Sequence, residues 1–394
     1  MSAYLPRSKG QWAAQSKQNG VESGTIHDGL FRASASKIQL QQFLLLRVLW
    51  NTKLGSDALY SKDALKYLGT DQVDYHRLAK DFLRGFKYWS MYLGSITPQA
   101  HGDLTKNVVF PDLGTFSLVR YHQLASQAAD FQSSSSLPKL DFTPAQDKRQ
   151  LRPRPETPTP SRGGMDGMTN AFDDLDIGSP SSELSAQSLE SLPSPVADSP
   201  FTGDPGSVFK AIEDEQIVNT ALILYLDALT MHCPHVNGDW SLQRHAFTFY
   251  NAKRAKMYEA RVDGVLRRRL DREVMAIIEV KSALRSDNLN DILMQEGAQM
   301  AAWISQHPPT DLDQFRKSGG STKRLLISQD RHQIYLTIAE FNADYVDYVR
   351  ATKAKSKDDV FLRMNSYGPF GTDDQEETRR LGELILAFSI KLCS

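Results

Sequence analysis

The stretch Tyr258 to Arg285, YEARVDGVLRRRLDREVMAIIEVKSALR, constrains this chain more than any other. Two strand-like runs, Tyr258 to Arg267 and Val274 to Lys281, flank a polar turn at Arg269 to Arg272, the pattern of a hairpin with a longer loop. Folded about Asp271, the hairpin sets Asp263 opposite Glu279. Side chains alternate across a strand, so Glu279 and Lys281 share a face while Ile278 and Val280 point the other way. The run IIEVK is apolar on both sides of its charges, which predicts a central strand. Two carboxylates and an ammonium on such a hairpin have two cheap neutralisations, a metal ion or a salt bridge. An exposed ion pair between Glu279 and Lys281 on an edge strand is the plain alternative. Hard oxygen donors in this pattern suit Mg²⁺ or Mn²⁺, with phosphate and water completing the shell. Lys281 is then placed to polarise a water or to meet charge developing on a phosphate.

At Asp263, Glu279 and Lys281 the chain resembles the PD-(D/E)xK nuclease superfamily, with Val262 where the name-giving proline would stand. The resemblance covers about half the chain, from Ser207 onward, and its texture is similar to nuclease-like domains of fungal proteins. It implies an α/β fold with a restriction-endonuclease-like core: helix, three antiparallel strands, helix, strand. It also implies Mg²⁺- or Mn²⁺-dependent hydrolysis of phosphodiester bonds. In that superfamily the first helix often adds an acid to the metal site. Glu215 is the candidate here, because it lies on the inward stripe with Ile212, Leu222 and Leu226, and Glu213 is second. Acids in the first turns of a helix also simply favour its dipole. Branches resembling the RecB-type nucleases carry a glutamine at about the distance of Gln295, followed four residues later by a tyrosine; this chain has Gln299 there. The two glutamines share a helix face. The site expected is therefore Asp263, Glu279, Lys281 and Gln295, with Asp263, Glu279 and Glu215 toward metal.

Element order around the motif agrees with that core. An amphipathic helix opens with SVFKAIEDEQ, a loop PHVNGDW follows, and RHAFTFYN precedes the hairpin to give three antiparallel strands in a row. Then come a helix in SDNLNDILMQEGAQMAAWISQH capped by Ser286 or Asp287, strands KRLLISQD and HQIYLTIAEF, and a helix ADYVDYVRATKAK. The tail reads as a loop, FLRMNSYGPF, and a closing helix.

The 394 residues allow two ordinary domains and linkers. Residues 1–25 read as a disordered leader. Residues 26–132 read as a helical module, from SKIQLQQFLLLRVLW, SKDALKYL and DQVDYHRLAKDFLRGFKYWSMYL, with Ser61 and Asp71 as N-caps. Its third helix sets Lys80, Arg84 and Lys87 beside Phe82, Phe86 and Trp89, either a nucleic-acid or partner face or a charged surface over an aromatic core. Residues 133–206 are Ser/Pro-rich and read as a disordered linker, with Thr157, Thr159, Ser179, Ser194 and Ser199 each preceding proline. Residues 207–394 are expected to form the nuclease-like domain that the resemblance implies.

Two cysteines exclude a disulfide framework and a zinc ribbon. Neither a signal-peptide core nor a run of about 18 apolar residues is present, so the expectation is an intracellular protein of nucleus or cytoplasm with no membrane partner. Formal net charge is −1, yet residues 244–285 hold eleven Lys or Arg against five Asp or Glu. That excess suits a nucleic-acid partner, DNA ahead of RNA. The alternatives in other classes are an inactive nuclease-fold module that binds nucleic acid or protein, and a toxin-like effector of a selfish genetic element.

Overall fold

The computed structural model describes residues 4–28, 34–60, 74–97, 110–128, 205–352 and 360–394. In chain order the elements are α1 (Lys9–Gln18), α2 (Leu40–Leu45), β1 (Val48–Leu54), α3 (Tyr75–Gly85), α4 (Lys87–Gly94), α5 (Phe116–Ala128), α6 (Pro205–Thr230), β2 (Gly238–Ser241), β3 (His245–Tyr250), β4 (Lys256–Val262), β5 (Gly264–Arg268) and β6 (Val274–Lys281). They continue through α7 (Leu289–Gln306), α8 (Leu312–Ser318), β7 (Ser321–Asp330), β8 (Gln333–Asn342), α9 (Ala343–Arg350), β9 (Leu362–Gly371) and α10 (Gln375–Cys393).

The near-continuous apolar run of β6 places it inside the sheet, buried on both faces. Ile278 and Val280 enter one core, and Ile277 enters another. A strand buried on both faces needs helices on both, and the chain is a mixed α/β protein in three layers. Its seven-stranded sheet runs β1-β9-β8-β7-β6-β5-β2, and β3 and β4 form a separate two-stranded sheet. On one side α3, α4, α5, α6 and α10 cover Ile278, Leu325 and Leu336; on the other, α2, α7 and α9 cover Ile277, Leu326 and Met364. The β6–β7 pair is parallel, with Glu279 beside Ser328 and Lys281 beside Asp330. A parallel pair requires a crossover, supplied by α7 and α8.

The hairpin has the expected register, Gly264 to Ile278, Val265 to Ile277 and Leu266 to Ala276. Tyr258 to Arg267 is not one strand, however, because the chain bends at Asp263. Its first half, β4, pairs with β3 and its second half, β5, pairs with β2 and β6. The three antiparallel strands that precede α7 in the main sheet are thus β2, β5 and β6, and RHAFTFYN belongs to the small sheet. The loop expected in PHVNGDW ends in β2. Gly264 lets this crossing close: a Cβ there would sit 2.7 Å from the Ser241 carbonyl oxygen and 3.0 Å from Ile223.

Several boundaries differ from expectation. The described residues before 129 and after 204 belong to one compact unit, not to a helical module and a separate nuclease-like domain. The cause is β1, which pairs in parallel with β9, Val48 beside Leu362 and Trp50 beside Met364. Helical spacing in QQFLLLRVLW holds only through α2. Arg47 then takes a positive φ of 53° and the chain goes on as a strand. The stretch FLRMNSYGPF, expected as a loop, is β9. The leader is ordered from Tyr4: the Trp12 indole N–H donates to the Leu44 carbonyl at 2.8 Å, the Trp50 amide donates to the Pro6 carbonyl at 3.0 Å, and Leu5 and Ile26 are buried.

The third helix of the N-terminal segment breaks at Phe86 into α3 and α4. Trp89 is buried, Phe82 and Phe86 pack on the same core, Arg84 pairs with Asp81 and Lys80 approaches Glu383, so this face is an aromatic core under charged cover. Asp74 caps α3 and Asn288 precedes α7 in place of Ser286 or Asp287. Ser61, Asp71 and residues 133–204 lie outside the described residues. No helix among the described residues is long and apolar enough to cross a membrane.

Candidate active site

The bend at Asp263 builds the site. Where the β5–β6 ladder stops, the Asp263 amide donates to the Ile278 carbonyl at 2.9 Å. The next acceptor position is taken by its side chain, and the Val280 amide donates to Asp263 Oδ2 at 3.1 Å. Asp263 therefore brackets Glu279, bonded to the residue on either side of it. Asn219 on α6 donates to the Asp263 carbonyl at 3.5 Å, and Arg244 Nε lies 3.5 Å from Oδ1.

Glu279 is buried at 2 % exposure. Its Oε1 accepts from Lys281 Nζ and from Gln295 Nε2, both at 2.5 Å, and its Oε2 accepts from Gln299 Nε2 at 2.6 Å. Gln299 also donates to the Arg261 carbonyl at 2.8 Å, tying α7 to β4. Lys281 Nζ stands 3.9 Å from Glu215 Oε1. Burial, offset by Lys281 and reinforced by Asp263, pushes the Glu279 carboxyl up to about 7. Burial opposes the Lys281 ammonium, but Glu279, Glu215 and Asp263 outweigh it and hold its pKa above the ordinary value. Burial also raises the Glu215 carboxyl, against the pull of Lys281 and Arg244.

The structure thus gathers Asp263, Glu279, Lys281, Gln295 and Glu215 into one neighbourhood; the Glu213 side chain lies outside the described ones. Gln295 and Gln299 each hold one oxygen of Glu279, so both positions contribute where the sequence pattern singled out the first. No sequence pattern marks Arg244 or Asn219, because they meet Asp263 across 19 and 44 residues and neither belongs to a motif. The basic excess of residues 244–285 is partly consumed internally. Arg268 pairs with Asp271 and Glu273, Arg269 and Arg272 approach Asp239, and Lys256 and Arg261 pair with Glu259.

Among the described residues no three His, Cys, Asp or Glu side chains stand together as a ready-made metal cage. Mg²⁺ does not require one, since one or two carboxylates with waters and substrate phosphate serve it. The donor set fits that demand. A carboxylate offers about four acceptor positions. Among the described residues Glu279 uses three and keeps one on Oε2, while Asp263 gives one to Val280 and shares Oδ1 with the ion pair to Arg244. Two surface cavities, of about 500 and 490 Å³, lie elsewhere, beside Tyr4 and Arg7 and beside Phe86 and His232. No family model, curated protein or solved structure matches this chain.

Proposed function

We propose that the chain is a metal-dependent nuclease with a restriction-endonuclease-like core, hydrolysing phosphodiester bonds in nucleic acid, DNA ahead of RNA, in the nucleus or cytoplasm. The observation that carries this reading is the bend at Asp263, which bonds to both sides of Glu279 while Lys281 touches Glu279 itself. The run α6, β2, β5, β6, α7, β7 supports it, as does the donor set.

Asp263 and Glu279 would hold Mg²⁺ or Mn²⁺, with Glu215 nearby. The bound ion supplies Lewis-acid stabilisation of the charge that builds on the phosphate. Gln295 and Gln299 keep the Glu279 carboxylate in one orientation. Lys281, held protonated by its acidic neighbours, serves as a donor and positive charge toward phosphate and water and not as a base. Arg244 is largely exposed and sits where an incoming backbone phosphate can exchange with Asp263 as its partner.

The test is cleavage of single- and double-stranded DNA and RNA with Mg²⁺, Mn²⁺ or EDTA, beside calorimetric Mn²⁺ titration. Metal-dependent cleavage is expected. Protein that binds Mn²⁺ and cuts none of the substrates is the inactive binding module, and protein that binds no divalent ion leaves Glu279 and Lys281 as a structural ion pair.

A further inference from the structure

Behind the site lies a second ionic group that the reaction does not touch. Arg285, in the loop after β6, is 5 % exposed, and Glu296, Ser328 and Asp330 are fully buried. Arg285 Nε donates to Asp330 Oδ2 at 2.6 Å, and Nη2 donates to Glu296 Oε1 at 2.6 Å and to Ser328 Oγ at 2.7 Å. The guanidinium also lies over the Tyr335 ring, 4.1 Å from its centroid. Charges at this depth persist only when paired and hydrogen-bonded.

The fork joins three elements at the end of the sheet where the site lies. Asp330 and Ser328 end β7, and Asp330 is the register partner of Lys281. Glu296 belongs to the turn of α7 that also carries Gln295 and Gln299. Gln299 and the Tyr258 hydroxyl, which donates to the Ala298 carbonyl at 2.9 Å, tie α7 to β4 on one side. A planar guanidinium bonded to the helix and to β7 adds a second fixed point and restricts rotation of α7 about its axis.

We propose that Arg285 is a positioning residue: by clamping Glu296 on α7 to Asp330 on β7, it sets the rotation of α7 and so the aim of Gln295 and Gln299 at Glu279. Its consequence for metal affinity rests on the nuclease reading, whereas the clamp itself does not. Orientation of a ligating carboxylate by its hydrogen-bond partners is worth about 10- to 100-fold in metal affinity.

Four variants separate aiming from plain stability. Arg285→Lys keeps the charge and loses the planar fork, Glu296→Ala cuts the link, and Glu296→Gln keeps an acceptor at the same place. Leu336→Ala, in the opposite core, is the control that lowers stability without touching the clamp. Side-chain amide NMR of metal-free protein follows Gln295 and Gln299, thermal melting follows the fold, and Mn²⁺ affinity is read by calorimetry. Expected are shifted, faster-exchanging Gln295 and Gln299 amide signals and a Mn²⁺ affinity about tenfold lower in Arg285→Lys and Glu296→Ala. Glu296→Gln stays close to wild type, and Leu336→Ala melts lower with its glutamine signals in place. The proposal is overturned when Arg285→Lys and Glu296→Ala melt lower while the glutamine signals stay unchanged. Wild-type protein that binds no Mn²⁺ sinks the nuclease reading, and the glutamine signals then decide the clamp alone.

Discussion

Glu279 accepts three charged or amide donors in a place whose burial favours the protonated acid, and this conflict sets how the residue behaves with pH. Its carboxyl titrates near 7 in the folded protein and near 4.3 in an unfolded chain. A folded pKa above the unfolded one favours folding at low pH. Glu279's contribution to the metal-free protein is therefore lost as pH rises from about 4 to about 7. Metal binding needs the carboxylate and has the opposite slope. Mn²⁺ affinity measured between pH 5.5 and 8.5 is expected to weaken below about 7, and a flat profile would remove Glu279 from the ligand set. Asp263→Ala and Glu279→Ala are expected to abolish Mn²⁺ binding in calorimetry. Lys281→Ala is expected to retain it and to lower turnover about 10²- to 10³-fold in the nuclease assay, the range found when one preorganised donor to a developing charge is removed. Smaller losses are expected for Gln295→Ala, which leaves Gln299 on the other oxygen, and intermediate ones for Glu215→Ala.

At the scale of the element, what was legible in the sequence is what is decided locally. The β5–β6 register follows from one short connection and from the alternation of Ile277, Ile278, Glu279 and Val280, so the places of Asp263, Glu279 and Lys281 could be read without a structure. The bend at Asp263 could not, because it depends on β2 and β3 arriving from elsewhere to pair with β5 and β4. β9 was hidden by Gly368 and Pro369, which normally demote a strand; here both fall in the gap of the β8–β9 ladder between the partners of Ile334 and Leu336. β1 was hidden because LLLRVLW is apolar at both periods, and only Arg47 and the distant β9 decide between them. The bend also supports a prediction. Gly264→Ala puts a methyl 2.7 Å from the Ser241 oxygen, a backbone atom that cannot turn aside. Overpacking of this kind costs about 1–3 kcal/mol, to be read as a lower urea midpoint. An unchanged midpoint would show that β2 yields freely.

At the scale of the whole molecule, the N-terminal segment is part of the same fold as the site. Phe43, Val48 and Trp50 lie against α7 at Gly297, on the helix that presents Gln295 and Gln299. The Tyr345 and Tyr348 hydroxyls on α9 donate to the Leu46 and Leu45 carbonyls at 2.9 and 2.6 Å. The Arg47 guanidinium stacks 4.5 Å from the Tyr348 ring centroid. A fragment of residues 207–394 would expose the edge of β9 from Leu362 to Tyr367 and the apolar back of α7. It is expected to aggregate or to lack a cooperative thermal transition in circular dichroism, and co-expression with residues 1–128 is expected to restore one. A sharp melt of the isolated fragment would show that the N-terminal segment is dispensable.

The pairing of Val48 with Leu362 also has a cost in time. At about 5–20 residues per second, β1 leaves the ribosome on the order of 15 to 60 s before its partner strand exists. Through that interval Val48, Leu49 and Trp50 have no sheet to join, and a sticky apolar strand stands in the crowded space around the translating ribosome. The yield of native protein in the cell is then governed by what shields those three side chains while synthesis finishes, and slowing elongation between β1 and β9 should lower it.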